Sequence, residues 1–172
     1  MGSNEVVNML LEANAYLEAA DSEVVGILLE ARADLEAADV FKMTPLQLAS
    51  ASGKSEVVGM LLEAKADLEA ADKSKKTPLL WASERGQSEV VGILVEAKAD
   101  LEAADESKMT PLMFASKSGE SEVVQALLAA GANLDARDCE GNTAKQLAED
   151  IGYDEVVEML SRAGLSANAG AT

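Results

Sequence analysis

The sequence predicts an all-α solenoid of stacked helix-turn-helix units with hairpin loops projecting along one side. Three observations lead there. Thr-Pro-Leu begins at Thr44, Thr77 and Thr110, 33 residues apart, and Ser-Glu-Val-Val begins at Ser22, Ser55, Ser88 and Ser121, again 33 apart. A fixed period of this size marks a repeat architecture, in which each unit buries its apolar face on its neighbours instead of in a globular centre. Aromatic residues make up only 3% of the 172 while Ala, Leu and Val abound, which suits short helices packed closely around a thin core.

The first stretch is irregular. Glu5 to Ala13 copies the second helix of the repeat and Asn14 to Asp21 copies the connector behind it, yet Ser22-Glu23-Val24-Val25 follows with no Thr-Pro-Leu helix between. Asn4 to Ala20 contains no Pro or Gly, and Val6, Leu10, Ala13, Leu17 and Ala20 keep a three-to-four spacing. The expectation is a helix that replaces a missing inner helix and packs against residues 22 to 31. Residues 1–38 then form an atypical N-terminal cap. The alternative is an uncovered apolar edge that pairs with a second copy.

Three full units follow at 39–71, 72–104 and 105–137. Thr44, Thr77 and Thr110 are expected N-caps, each followed by a Pro pre-set for the first helical position. Leu46, Leu79 and Leu112, with Ala49, Ala82 and Ala115, should face into the stack. Gly53, Gly86 and Gly119 should end the inner helices, where a positive φ costs glycine little. Ser55, Ser88 and Ser121 are expected to cap the second helices, whose Val-Val and Leu-Leu pairs bury between units. A terminal repeat at 138–165 carries Thr143-Ala144-Lys145-Gln146-Leu147-Ala148 and extra polar residues for a face that meets water. Residues 166–172 read as a flexible tail.

A Thr-Pro-Leu-x-x-Ala helix start recurring every 33 residues, over roughly residues 39 to 165, resembles the ankyrin repeat. The near-identity of the units resembles designed or consensus-like arrays of that family, and Met1-Gly2-Ser3 reads as a vector-derived start. The family's frequent His after Thr-Pro-Leu is Gln47, Leu80 and Met113 here. Its glycine after the second helix is Arg32, Lys65 and Lys98, returning at Gly131; its hairpin glycine is Lys42, Lys75 and Lys108, returning at Gly141. A side chain forced to positive φ costs about 1 kcal/mol against glycine, so mild strain is expected at those lysines. The resemblance implies a non-catalytic module that binds another protein through its concave groove and hairpin tips.

Charge and chemistry narrow the alternatives. A formal charge of −17 opposes general affinity for nucleic acid or for anionic membranes. No apolar run approaches the ~20 residues of a membrane span, and no leader segment is visible. The chain has no His and one Cys, which removes imidazole bases, His-ligated zinc and Cys-His dyads. The glycines are isolated, so no phosphate loop forms. Carboxylates such as Glu63, Asp67 and Glu69 recur with the repeat and read as a solvated face. No catalytic residue, metal ligand or cofactor site is expected, and no enzyme. Cys139 reads as an incidental exposed thiol at a hairpin tip, in a reducing, cytoplasmic setting.

The second helices are near copies, whereas hairpins and inner helices vary. Positions that vary on a constant framework are the candidates for recognition, and the predicted partner-binding set is Val40, Phe41, Met43, Leu48, Lys73, Lys76, Trp81, Glu84, Arg85, Met109, Phe114 and Lys117. It holds the only Trp and both Phe residues of the chain, and aromatics, Met and Arg are the types enriched at interface centres. Leu48, Trp81 and Phe114 share one repeat position. They could fill core between inner helices, but Leu46, Leu79 and Leu112 beside them supply core already, which favours exposure. The three hairpin and inner-helix segments carry eight basic residues against six acidic ones. That face is therefore neutral to slightly basic and fitted to a partner with an acidic rim and an apolar centre. The competing reading is a structural solenoid that forms a homodimer through its N-terminal edge.

Overall fold

The structure, a computed structural model, describes Ser22, Gly26 and residues 34–169, without the side chains of 166–169. The helix expected over residues 4–20 and Arg32 lie outside the described residues, as does the expected packing partner at 22–31 apart from Ser22 and Gly26. Eight helices and no strand occur among those described. They are α1 (Pro45–Ala51), α2 (Ser55–Glu63), α3 (Pro78–Glu84), α4 (Ser88–Glu96), α5 (Pro111–Ser118), α6 (Ser121–Ala130), α7 (Ala144–Ile151) and α8 (Asp154–Ala169).

Each inner helix begins after its threonine, with proline next in the first three. The hydroxyls of Thr44, Thr77, Thr110 and Thr143 accept from the amide three residues on, at 3.4 Å in every case. One orphan N–H per helix is thereby satisfied. The outer helices start differently from expectation. Their N-caps are Lys54, Gln87 and Glu120, with no side-chain capping bond, and the serines are the first helical residues. Each serine amide donates to the carbonyl of the preceding glycine, Gly53, Gly86 or Gly119. Because the chain re-enters a helix only two residues beyond that glycine, the serine is already helical. Two of the hydroxyls instead reach the next unit, Ser88 donating to Glu122 and Ser121 to Glu155, both at 2.9 Å.

Inner helices α1, α3, α5 and α7 pack in one row, outer helices α2, α4, α6 and α8 in a second, and each inner helix packs on its own outer helix. Leu46, Leu79 and Leu112 are each 1% exposed and Ala49, Ala82 and Ala115 fully buried, as the repeat pattern requires, with Val58, Val91 and Val124 sealed on the outer side. Small alanines at the crossing let the helices come close, so the core is a continuous sheet of side chains and not a centre.

Backbone bonds then join the hairpins into a row. Lys73 donates to the Phe41 carbonyl at 3.1 Å, Glu106 to Ser74 at 3.2 Å and Cys139 to Ser107 at 2.9 Å. Within each hairpin an aspartate carboxylate (Asp39, Asp72, Asp105 or Asp138) accepts from the amides two and four residues on, at 2.8–2.9 Å. The connector carboxylates do more than meet water. Glu36, Glu69 and Glu102 accept from the backbone amides of Asp67, Asp100 and Asn133 in the following unit, at 2.8–2.9 Å.

The expected strain is present. Lys42, Lys65, Lys75, Lys98 and Lys108 hold φ between 60° and 71°, the region that Gly131 and Gly141 occupy at the equivalent places. Gly119 is required twice over: its φ is +76°, and a Cβ there would lie 2.7 Å from the Tyr153 ring. The C-terminal end departs from expectation, since α8 continues to Ala169. Nothing in Leu165-Ser166-Ala167-Asn168-Ala169 breaks a helix, so the last outer helix runs on.

Candidate functional site

The inner helices and hairpins bring the predicted partner-binding residues onto one side, but at very different depths. Val40 and Phe41, at the first hairpin tip, are 77% and 63% exposed. Lys73, Arg85 and Lys117 are also exposed, and Met43, Lys76, Trp81 and Glu84 are half-buried. Leu48, Met109 and Phe114 are buried, at 7%, 6% and 8% exposure. The exposure expected of Leu48 and Phe114 is therefore corrected, and Met109, placed in the partner-binding set, is covered as well. Leu46 and Leu112 do form core, yet the position two residues further along those inner helices is also covered, while Trp81 at the same repeat position stays half-buried.

Trp81, Phe114 and Lys76 meet between the second and third units. The Lys76 ammonium sits 4.4 Å from the Trp81 ring centroid and 4.5 Å from that of Phe114, held between the two faces. Its Nζ donates to a Glu84 carboxylate oxygen at 2.7 Å, with the two side chains 14% and 29% exposed. Trp81 Nε1 donates to Asp72 Oδ2 at 3.1 Å, while Asp72 Oδ1 takes the amides of Ser74 and Lys76. Arg85 adds a second cation, 5.8 Å from the Trp81 ring. Ring faces carry negative potential and attract ammonium groups, by up to about 2 kcal/mol where water is excluded. Glu84 and Asp72 reinforce that field, so the slot favours a positive group.

Sequence reasoning found five members of this cluster and missed Asp72. Aspartate at that place recurs in every unit and reads as framework; the Trp nine residues later was the signal that one copy has a further partner. Gln47 was missed as well. Its Oε1 accepts from the Thr44 amide at 2.8 Å, and its Nε2 donates to the carbonyls of Ala70 at 3.1 Å and Lys76 at 2.6 Å. It thereby pins the backbone of the hairpin that carries Lys76. An open cavity of about 380 Å³ near Leu134, Thr143 and Leu160, at the C-terminal end, includes none of the predicted residues. Cys139 is free and exposed. No described helix is long and apolar enough to cross a membrane.

Two rows of short helices with a row of stitched hairpins define a helical-repeat solenoid whose variable residues gather on the hairpin side. Residues 2–105 and 99–170 match the family described as Ankyrin repeats (3 copies). The chain belongs to the ankyrin-repeat family. No curated protein matches the sequence. Ankyrin repeats are generally protein-interaction modules and are typically non-catalytic.

Proposed function

We propose that this chain is a non-catalytic module that recognises a protein partner through its hairpin tips and inner-helix face, on a near-identical, consensus-like framework. The supporting observation is the exposure of Val40 and Phe41 on that face, alongside the exposed cations Lys73, Arg85 and Lys117. Large apolar side chains rimmed by charge mark interaction surfaces. Trp81 supplies the centre of the face. Leu48, Met109 and Phe114, being buried, contribute no direct contact of that size.

Capture of a partner from cell extract by the immobilised chain tests this reading. A double variant, Phe41→Ala with Arg85→Glu, should lose at least about tenfold in affinity, the scale of one or two hot-spot contacts. Glu89→Lys, on the exposed side of outer helix α4, should leave binding unchanged. Retention in the first variant, or loss in the second, would place the interface elsewhere. A homodimer through the N-terminal edge is the competing proposal. Light scattering of the intact chain and of one lacking residues 1–21 tests it, and a monomer in both cases ends it.

A further inference from the structure

We infer that the slot between Trp81 and Phe114 is a binding site for an alkylammonium group, such as a lysine side chain of the partner, and that Lys76 is its intramolecular stand-in. This deepens the proposed recognition face and rests on that reading for the source of the ligand. The binding chemistry stands on the slot itself.

Comparison between units shows what was built. The positions of Lys76, Trp81 and Glu84 are held by Met43, Leu48 and Ala51 in the unit before, and by Met109, Phe114 and Lys117 in the unit after. An apolar Met serves the architecture twice. Only in the middle unit do a cation, an indole and a matching carboxylate replace their counterparts together. The three replacements meet in space, with the ammonium 4.4 Å from one ring, 4.5 Å from the other and 2.7 Å from the acid.

The walls do not depend on the plug. Trp81 is oriented by its bond to Asp72, a side chain also fixed by two backbone amides. Phe114 is 8% exposed and belongs to the core. Gln47 holds the Lys76 carbonyl, so the backbone stays in place while the four-carbon side chain can turn outward past the exposed residues Lys73, Ser74 and Lys75. Withdrawing Lys76 leaves the two aromatic faces in place, with Glu84 on the same helix as Trp81 to supply the carboxylate. An incoming alkylammonium recovers the same cation–π and ion-pair contacts, and Lys76 regains its hydration outside.

Trp81 is the only Trp in the chain, so its fluorescence reports on the slot directly. Butylammonium chloride is titrated at constant ionic strength into the wild-type chain and the Lys76→Ala, Lys76→Ser and Lys76→Met variants, each checked for helical circular dichroism. Either opened variant should show a saturable emission change with half-saturation on the order of tenfold lower than wild type. Lys76→Met, which refills the slot with an apolar chain, should show none. Adding Phe114→Leu to an opened variant should abolish the change. Equal responses in wild type and opened variants, no saturable response in a folded opened variant, or a response that survives Phe114→Leu would each overturn the proposal, as would failure of both opened variants to fold, which would make Lys76 a structural strut. The titration uses no protein partner. Its failure therefore leaves the recognition face standing, and displacement of that face leaves the titration unaffected.

Discussion

Ser50, Ser83 and Ser116 occupy one repeat position on α1, α3 and α5, fully buried, and their hydroxyls have no hydrogen-bond partner among the described residues. A hydroxyl taken from water without a partner costs about 1–3 kcal/mol by mutational measures. Ser83→Ala should therefore raise the stability of the chain, by about 1 kcal/mol, read as a shift of the urea midpoint at constant slope. An unchanged or lowered midpoint would show that the hydroxyl is satisfied in solution. Residue-scale strain was legible in advance at the lysines in glycine positions, because positive φ is a backbone demand that the period carries from Gly131 and Gly141 back to Lys98 and Lys108. The depth of Phe114 was not legible. A phenylalanine at a variable position reads as exposed until the neighbouring helix is in place.

Among the elements, the hairpins differ in how they are tied. Gln47 bridges the Thr44 amide, the Ala70 carbonyl at the end of its own unit and the Lys76 carbonyl of the next, whereas Leu80 and Met113 at the equivalent positions have no polar atom with which to do so. Gln47→Leu should cost about 1–2 kcal/mol, the net worth of one or two such bonds. It should also raise hydrogen exchange at the Thr44 amide while exchange at Val91 in α4 holds. A melt unchanged within error would mean that solvent replaces the bridge. Helix starts at Thr44, Thr77, Thr110 and Thr143 could be read from sequence, since a cap is a local bond. The outer-helix starts could not, because the hydroxyls of Ser88 and Ser121 bond to the next unit, 34 residues away, and cap no helix.

At the scale of the whole molecule, charge and pH act together. Burial pushes the Glu69 carboxyl above its ordinary 4.5, aided by the charges of Asp100 and Asp67 and opposed by the Asp100 amide that it accepts. A raised value in the folded state gives stability that is complete below 4.5 and lost as pH rises through the higher folded value. Asp138 runs the other way. Burial raises it, but the Asn142 amide and side chain and the amides of Glu140 and Gly141 outweigh that and hold it below 3.8. Its contribution is present above 3.8 and lost as pH falls through its lower folded value. With −17 of net charge also relaxing on acidification, the melting temperature should be higher at about pH 5 than at pH 7, and fall again by about pH 3. A melting temperature that only falls from pH 7 downward would contradict this balance.

Period, helix polarity, inner-helix caps, left-handed lysines and the leucine-alanine core follow from the chain itself, because each is a local preference copied at 33-residue intervals. Three matters belonged to the tertiary structure alone. One was which variable side chains stay on the surface and which are covered, since burial depends on how closely adjacent rows stand. A second was the bonding of Glu36, Glu69 and Glu102 across units, and the third was the enclosure of Lys76 between Trp81 and Phe114. Those contacts join residues about thirty positions apart, or a hairpin of one unit to a helix of the next. Stacking brings them together, and the spacing along a single unit does not reveal it.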